Sequence, residues 1–318
     1  MTLQQQIRSN RFRSGIVVLG FVLLLLVLAG LVGLALDYSL GVVALGVAVV
    51  YGVFALLRSR SMVASMTGAQ ELGDTDLKPL RRLVENVSIG AGLPVTPELR
   101  IVDDPAPNAF AAGLRPKSSY VGVTTGLLRT MPKRELEAVL AHEVSHIRNR
   151  DTYLMTMAVV FAGVIALIAD IGFRALAYGG RSRKGGALVA ILAIVGFILA
   201  PYAALLLRMS LSRRREFLAD SGAAEILSDP EAMALALRRL ELDPTTVRYS
   251  DASTAHLWVE SPTERVDWKR SGILEFSSWF NTHPPMRARI AALEEAGGFR
   301  LSEGLPAREP FAAELGLL

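Results

Sequence analysis

Glu135-Leu136-Glu137-Ala138-Val139-Leu140-Ala141-His142-Glu143-Val144-Ser145-His146 is the stretch on which the reading of this chain turns. Pro132, just ahead of it, is a good first-turn residue, and Leu136, Val139, Leu140 and Val144 recur at helical spacing, so a helix is predicted from near Pro132. Residues four apart on a helix share one face, which lets His142 and His146 reach the same tetrahedral ion. Glu143 is then close enough to the water completing the shell to take its proton without being a ligand itself. Zinc lowers the pKa of such a water toward ~7, so a carboxylate can generate the nucleophile at neutral pH. The chain has 4 histidines, and two of them fill this pattern in an otherwise apolar helix. A chance pairing on a polar face is the weaker reading.

Two imidazoles leave the ion in need of a third protein ligand. The chain contains 0 cysteines, which excludes thiolate sites and disulfides. The third ligand is therefore His256, His283 or a carboxylate. Arg213-Arg214-Arg215-Glu216-Phe217-Leu218-Ala219-Asp220 places Glu216 and Asp220 four apart on a second predicted helix. One carboxylate can bind the metal while the other orients an imidazole by accepting its free N–H. Taken alone, the same stretch reads as a solvated or headgroup-facing basic helix; beside the histidine helix it reads as a ligand source.

The two helices are separated by apolar sequence. Of the 318 residues 51% are hydrophobic and 20% charged, with a mean hydropathy of +0.37. The excess lies in four runs, which points to membrane spans rather than a large core. The first runs from Gly15 to Leu36, the second from Leu40 to Leu57, the third from about Thr152 to Phe173 and the fourth from about Ala187 to Leu207. The first two form a predicted helical hairpin. A cleavable signal peptide is the competing reading of the first run, and its length and the immediate second run argue against it. Arg8, Arg11 and Arg13 precede the hairpin and Arg58 and Arg60 follow it, so both ends are placed in the cytoplasm. Runs three and four form a second spanning hairpin or lie partly embedded with their basic loop at one surface; length and apolarity favour spanning. The net charge of +4 sits largely beside these runs, and no nucleic-acid recognition motif accompanies it.

Four segments result: 1–60, a cytoplasmic tip and membrane hairpin; 61–151, the first part of a catalytic domain with the histidine helix; 152–207, the second membrane pair; and 208–318, the second part with the third ligand. Within them, helices are predicted through Leu77 to Val87, from Ser212 to Leu227, from Pro230 to Leu240 and from about Pro285 to Ala296. Strands are predicted at Leu99 to Val102 and Tyr120 to Val123, and loops with short elements from Asp243 to Asn281.

Five stretches carry a family resemblance: Pro107-Asn108-Ala109-Phe110-Ala111, Thr124-Thr125-Gly126-Leu127-Leu128, Glu135 through His146 to Asp151, Arg215 to Asp220, and Thr282-His283-Pro284-Pro285 followed by Arg289-Ile290. In this order they resemble the HtpX family of membrane zinc peptidases, relatives of the CAAX prenyl proteases, over most of residues 75–150 and 210–295. Val259 to Trp279 matches none of its motifs. The resemblance implies a mainly α fold with a small β-sheet: four transmembrane helices and a thermolysin-like zincin domain split by the second pair. It implies one zinc per subunit on His142, His146 and Glu216, with Glu143 as general base and Asp220 behind the ligands. His283 and Arg289 become candidates to stabilise an oxyanion, although His283 also reads as a helix-entry residue. Asn108, Ala109 and Phe110 become a substrate-pairing edge, although Phe110 also reads as core; His256 reads as structural. The implied enzyme is a multi-pass inner-membrane endopeptidase with a cytoplasmic catalytic domain. It would act on misfolded or membrane proteins in quality control, with protein substrates and the lipid bilayer as partners. The alternatives are a catalytically weak scaffold or chaperone on the same fold, disfavoured because every expected position is filled, and a prenyl-protein processing protease, disfavoured by the small number of spans.

Overall fold

The computed structural model describes residues 12, 15–16, 19–20, 23, 26, 38–73, 77–160, 213–248, 257–259, 284–302 and 304–317. Its elements are α1 (Tyr38–Leu57), α2 (Ser59–Thr67), β1 (Ala69–Glu71), α3 (Lys78–Gly90), β2 (Glu98–Val102), β3 (Ala109–Ala112), β4 (Tyr120–Thr124), α4 (Thr125–Thr130) and α5 (Lys133–Arg148). A further helix, α6, is described over 151–160. Then come α7 (Arg213–Leu227), α8 (Pro230–Leu242), α9 (Met286–Gly297) and α10 (Phe311–Glu314). The fold is mainly helical with one small mixed sheet. Among the described residues no helix is long and apolar enough to cross a membrane. The first apolar run lies mainly, the third partly and the fourth wholly outside the described residues, and α1 coincides with the second.

The strands lie in the order β1-β2-β4-β3. β2 and β4 are parallel, and β1 and β3 flank them antiparallel. Side chains alternate across the sheet as a pleat requires. Ala109, Ala111, Val121, Val123 and Leu99 enter a core with α3, α5 and α8. Phe110, Ala112, Tyr120 and Val102 enter a second core with Val63 of α2, Met155 and Val159 of α6, and Trp258. Gly122 makes room for the second: a Cβ there would stand 2.3 Å from the Phe110 ring. Phe110 meets Tyr120 and Trp258 edge-on, with ring centres 5.8 and 4.8 Å away.

α5 is held on three sides. Its apolar stripe packs on α3 and the sheet. Near its start, buried Glu135 accepts from Arg239 of α8 at 2.6 and 3.1 Å. Beside it Arg134 makes a two-pronged pair with Asp229 at 2.6 and 2.7 Å. Asp229 also caps α8 through the Ala232 N–H at 3.1 Å. The Arg134 guanidinium holds the Asp229 carboxyl below its ordinary 3.8, against a smaller upward push from burial. A carboxylate with a lowered folded-state pKa contributes stability above its unfolded value and loses it as pH falls through the lowered one. Asp229→Ala should therefore cost about 1 kcal/mol at neutral pH from the lost cap, with the part-exposed ion pair adding under about 1 kcal/mol. Denaturant midpoints should converge with wild type below pH 3.8; a constant difference down to strong acid would refute this account.

Candidate active site

His142, Glu143 and His146 lie in the buried C-terminal half of α5. α7 packs along that half. At Gly222 a Cβ would stand 2.4 Å from Ser145 Oγ, so the missing side chain leaves room for Ser145. This contact sets Glu216 opposite the two imidazoles. His142 Nε2 lies 3.2 Å from His146 Nε2, and Glu216 Oε2 and Oε1 lie 3.7 Å from them respectively. One ligand atom from each residue falls within 4.8 Å of the others, and all three residues are buried. Of the candidates for the third ligand, the carboxylate of Glu216 is the one found with the histidines. His256 and His283 lie outside the described residues.

Each imidazole is backed by a carboxylate, and each carboxylate faces an arginine. His142 Nδ1 is 3.0 Å from Asp220 Oδ1, and Asp220 accepts from Arg289 Nη2 and Nε at 2.6 and 2.8 Å. His146 Nδ1 is 3.2 Å from Asp151 Oδ2, whose other oxygen is 4.0 Å from Arg215 Nε. A carboxylate on Nδ1 fixes the tautomer and leaves Nε2 as the lone-pair atom, which is what a metal ligand needs. Asp151 and Arg215 as a matching pair do not follow from helical spacing. Asp151 lies beyond the end of α5, reached through Arg150 with φ 64°.

The charges are mutually dependent. Burial works against a charged His142, but Asp220 and Glu216 outweigh it and push its pKa up to about 9. Asp220 is held below the carboxylate range: burial opposes this, and the Arg289 guanidinium overrides burial. Glu143 is shifted upward, chiefly by burial. Its Oε2 is buried and has no hydrogen-bond partner among the described residues.

Arg289 is fully buried. Besides Asp220 it donates to the Val259 carbonyl at 3.2 Å and lies 3.5 Å from Glu216 Oε2. Arg289→Met should leave Asp220 a buried carboxylate without its guanidinium, at a cost of about 3–5 kcal/mol. Metal retention should fall with it. An unchanged melting temperature would show that the pair does not support the site.

Asn108, Ala109 and Phe110 are all buried. The outer edge of β3 is engaged by the chain itself: Val259 N donates to Ala109 O at 3.0 Å, and Phe110 and Trp258 form an antiparallel bridge. Phe110 thus packs in the core, and Trp258 and Val259 belong to the sheet edge although their stretch carries no motif.

Residues 75–297 match peptidase family M48. Similar proteins include a protease HtpX homolog of Ligilactobacillus salivarius, 37% identical over 306 residues, covering 92% of this chain and 99% of the relative. Another, from Limosilactobacillus fermentum, is 38% identical over 308 residues, with the same shares of the two chains. A third, from Streptococcus gordonii, is 34% identical over 304 residues, again at 92% and 99%. With the buried His142–His146–Glu216 group at the heart of the matched region, the chain belongs to peptidase family M48 and is a metalloprotease.

Proposed function

We propose that this chain is a membrane-bound zinc endopeptidase that cuts unfolded or membrane proteins. The observation that carries the reading is the group His142, His146 and Glu216 with a carboxylate behind each imidazole. Two zinc–nitrogen bonds of ~2.0–2.1 Å at a tetrahedral angle set their nitrogens roughly 3.3 Å apart, and the observed separation is 3.2 Å. The donors are nitrogen and oxygen with one position left over, as in catalytic zinc sites. Bound zinc supplies a Lewis acid and lowers the pKa of water toward ~7.

The residues of the chain do the rest. Glu143, made more basic by burial, takes the proton of the attacking water on its carboxylate and passes it to the departing amine. Asp220 and Asp151 hold the imidazole tautomers. The guanidinium of Arg289 is engaged by Asp220, Val259 O and Glu216. That favours positioning of the ligand helix over direct contact with an oxyanion, which leaves His283 as the remaining oxyanion candidate. An extended peptide laid on β3 at Asn108 to Phe110 would take over the hydrogen bond that Val259 makes to Ala109.

The membrane placement rests on the four apolar runs and on α1, where Val50, Phe54 and Leu57 are 70%, 55% and 80% exposed. Apolar side chains this open in one helix fit contact with lipid. Metal analysis of the detergent-purified protein, with an unfolded-protein cleavage assay on wild type and Glu143→Gln, tests the chemistry. Resistance of the chain to carbonate extraction from membranes tests the placement.

A further inference from the structure

We propose that a cavity between the catalytic domain and the roots of α1 and α6 binds the phosphate headgroup of an anionic phospholipid. The cavity measures about 730 Å³. Arg60, Arg115, Lys117 and Arg150 line it, Leu57 and Tyr153 form part of its apolar wall, and among the described residues no Asp or Glu lines it. Arg60 is partly neutralised by Glu98. Arg115, Lys117 and Arg150 form no ion pair among the described residues, and Arg115 and Lys117 are exposed. A cluster of cations, three of them without an ion pair among the described residues, set beside apolar wall, suits an amphiphile with an anionic head.

The location names the source of that head. Leu57 ends α1, and Tyr153 stands in the first turns of α6, so the cavity opens where the second and third apolar runs meet the catalytic domain. Those runs are neighbours: Ala55 of α1 packs on Val160 of α6, with Tyr51 and Met62 against them. In the membrane reading, on which this inference rests, the cavity lies at headgroup depth, where Tyr and basic side chains concentrate. The loop that carries Arg115 and Lys117 follows β3 directly and is tied to α6 by Gly113 N donating to Thr156 Oγ1 at 2.9 Å. A lipid held there would join membrane helices to the sheet edge beside the metal helix.

The test uses the full chain in a non-ionic detergent, offered equal amounts of phosphatidylglycerol and phosphatidylcholine, with retained lipid read by native mass spectrometry. Wild type should keep phosphatidylglycerol in preference. Arg115→Gln with Lys117→Gln should bind it roughly 30-fold more weakly, at about 1 kcal/mol per charge removed. Arg115→Lys with Lys117→Arg should bind as wild type does, and so should Arg82→Gln, which removes an exposed charge elsewhere. Equal retention by wild type and the glutamine variant, or no preference for the anionic lipid, overturns the proposal. Displacement of the lipid by inorganic phosphate at equal concentration would make the site a phosphate site and overturn the lipid assignment. A chain that carbonate strips from membranes but that still selects phosphatidylglycerol through Arg115 and Lys117 would refute the membrane placement and uphold the cavity.

Discussion

Glu143→Gln is expected to abolish peptide cleavage, by roughly 10³-fold or more, while zinc remains bound at one per chain. The amide keeps the size of the carboxylate and cannot take a proton from water. Glu143 is not among the three grouped ligand residues, so the metal should not register its loss. Its burial makes the comparison clean, because few other interactions change: one carboxylate oxygen already has no hydrogen-bond partner among the described residues. Metal content and cleavage of an unfolded protein, measured on the same preparation, separate the roles. Loss of zinc together with activity would mean that Glu143 holds the site rather than working in it.

Glu216→Ala is expected to empty the metal site. Removing a hydrogen-bonding partner behind a ligand costs about 10–100-fold in affinity, so removing the ligand itself should exceed 100-fold. The α7 helix should stay in place, since Asp220 still holds Arg289 at 2.6 and 2.8 Å and Gly222 still meets Ser145. A near-native melting curve of the metal-free protein, compared with metal-stripped wild type, would confirm that only the ligand is gone. Stoichiometric zinc in this variant would transfer the ligand role elsewhere, with His283 the first suspect.

Much of this was open to reading in one dimension. His142, His146 and Glu143 stand in a spacing that helix geometry makes meaningful, and Glu216 and Asp220 repeat the four-residue interval on α7. The long helices and the two inner strands carry regular apolar periods, and they appear within three residues of where the pattern places them. β1 and β3 carry no such signal. β1 is three residues long, and β3 is Ala-Phe-Ala-Ala, without a β-branched residue to favour extension; its strand character was visible only through the family resemblance. The pair of Asp151 with Arg215 was illegible because its members are brought together by packing of α7 on α5, after a left-handed turn at Arg150. The role of Trp258 and Val259 was hidden for the same reason, since pairing with β3 is a tertiary event.

The buried contact between Arg289 and Asp220 also bears on how the enzyme is made. During synthesis His142 and His146 leave the ribosome first, Glu216 and Asp220 follow, and Arg289 comes last of these five. A nascent chain that stops short of α9 lacks the guanidinium that Asp220 faces in the folded protein, so this buried cluster is complete only after α9 has been made.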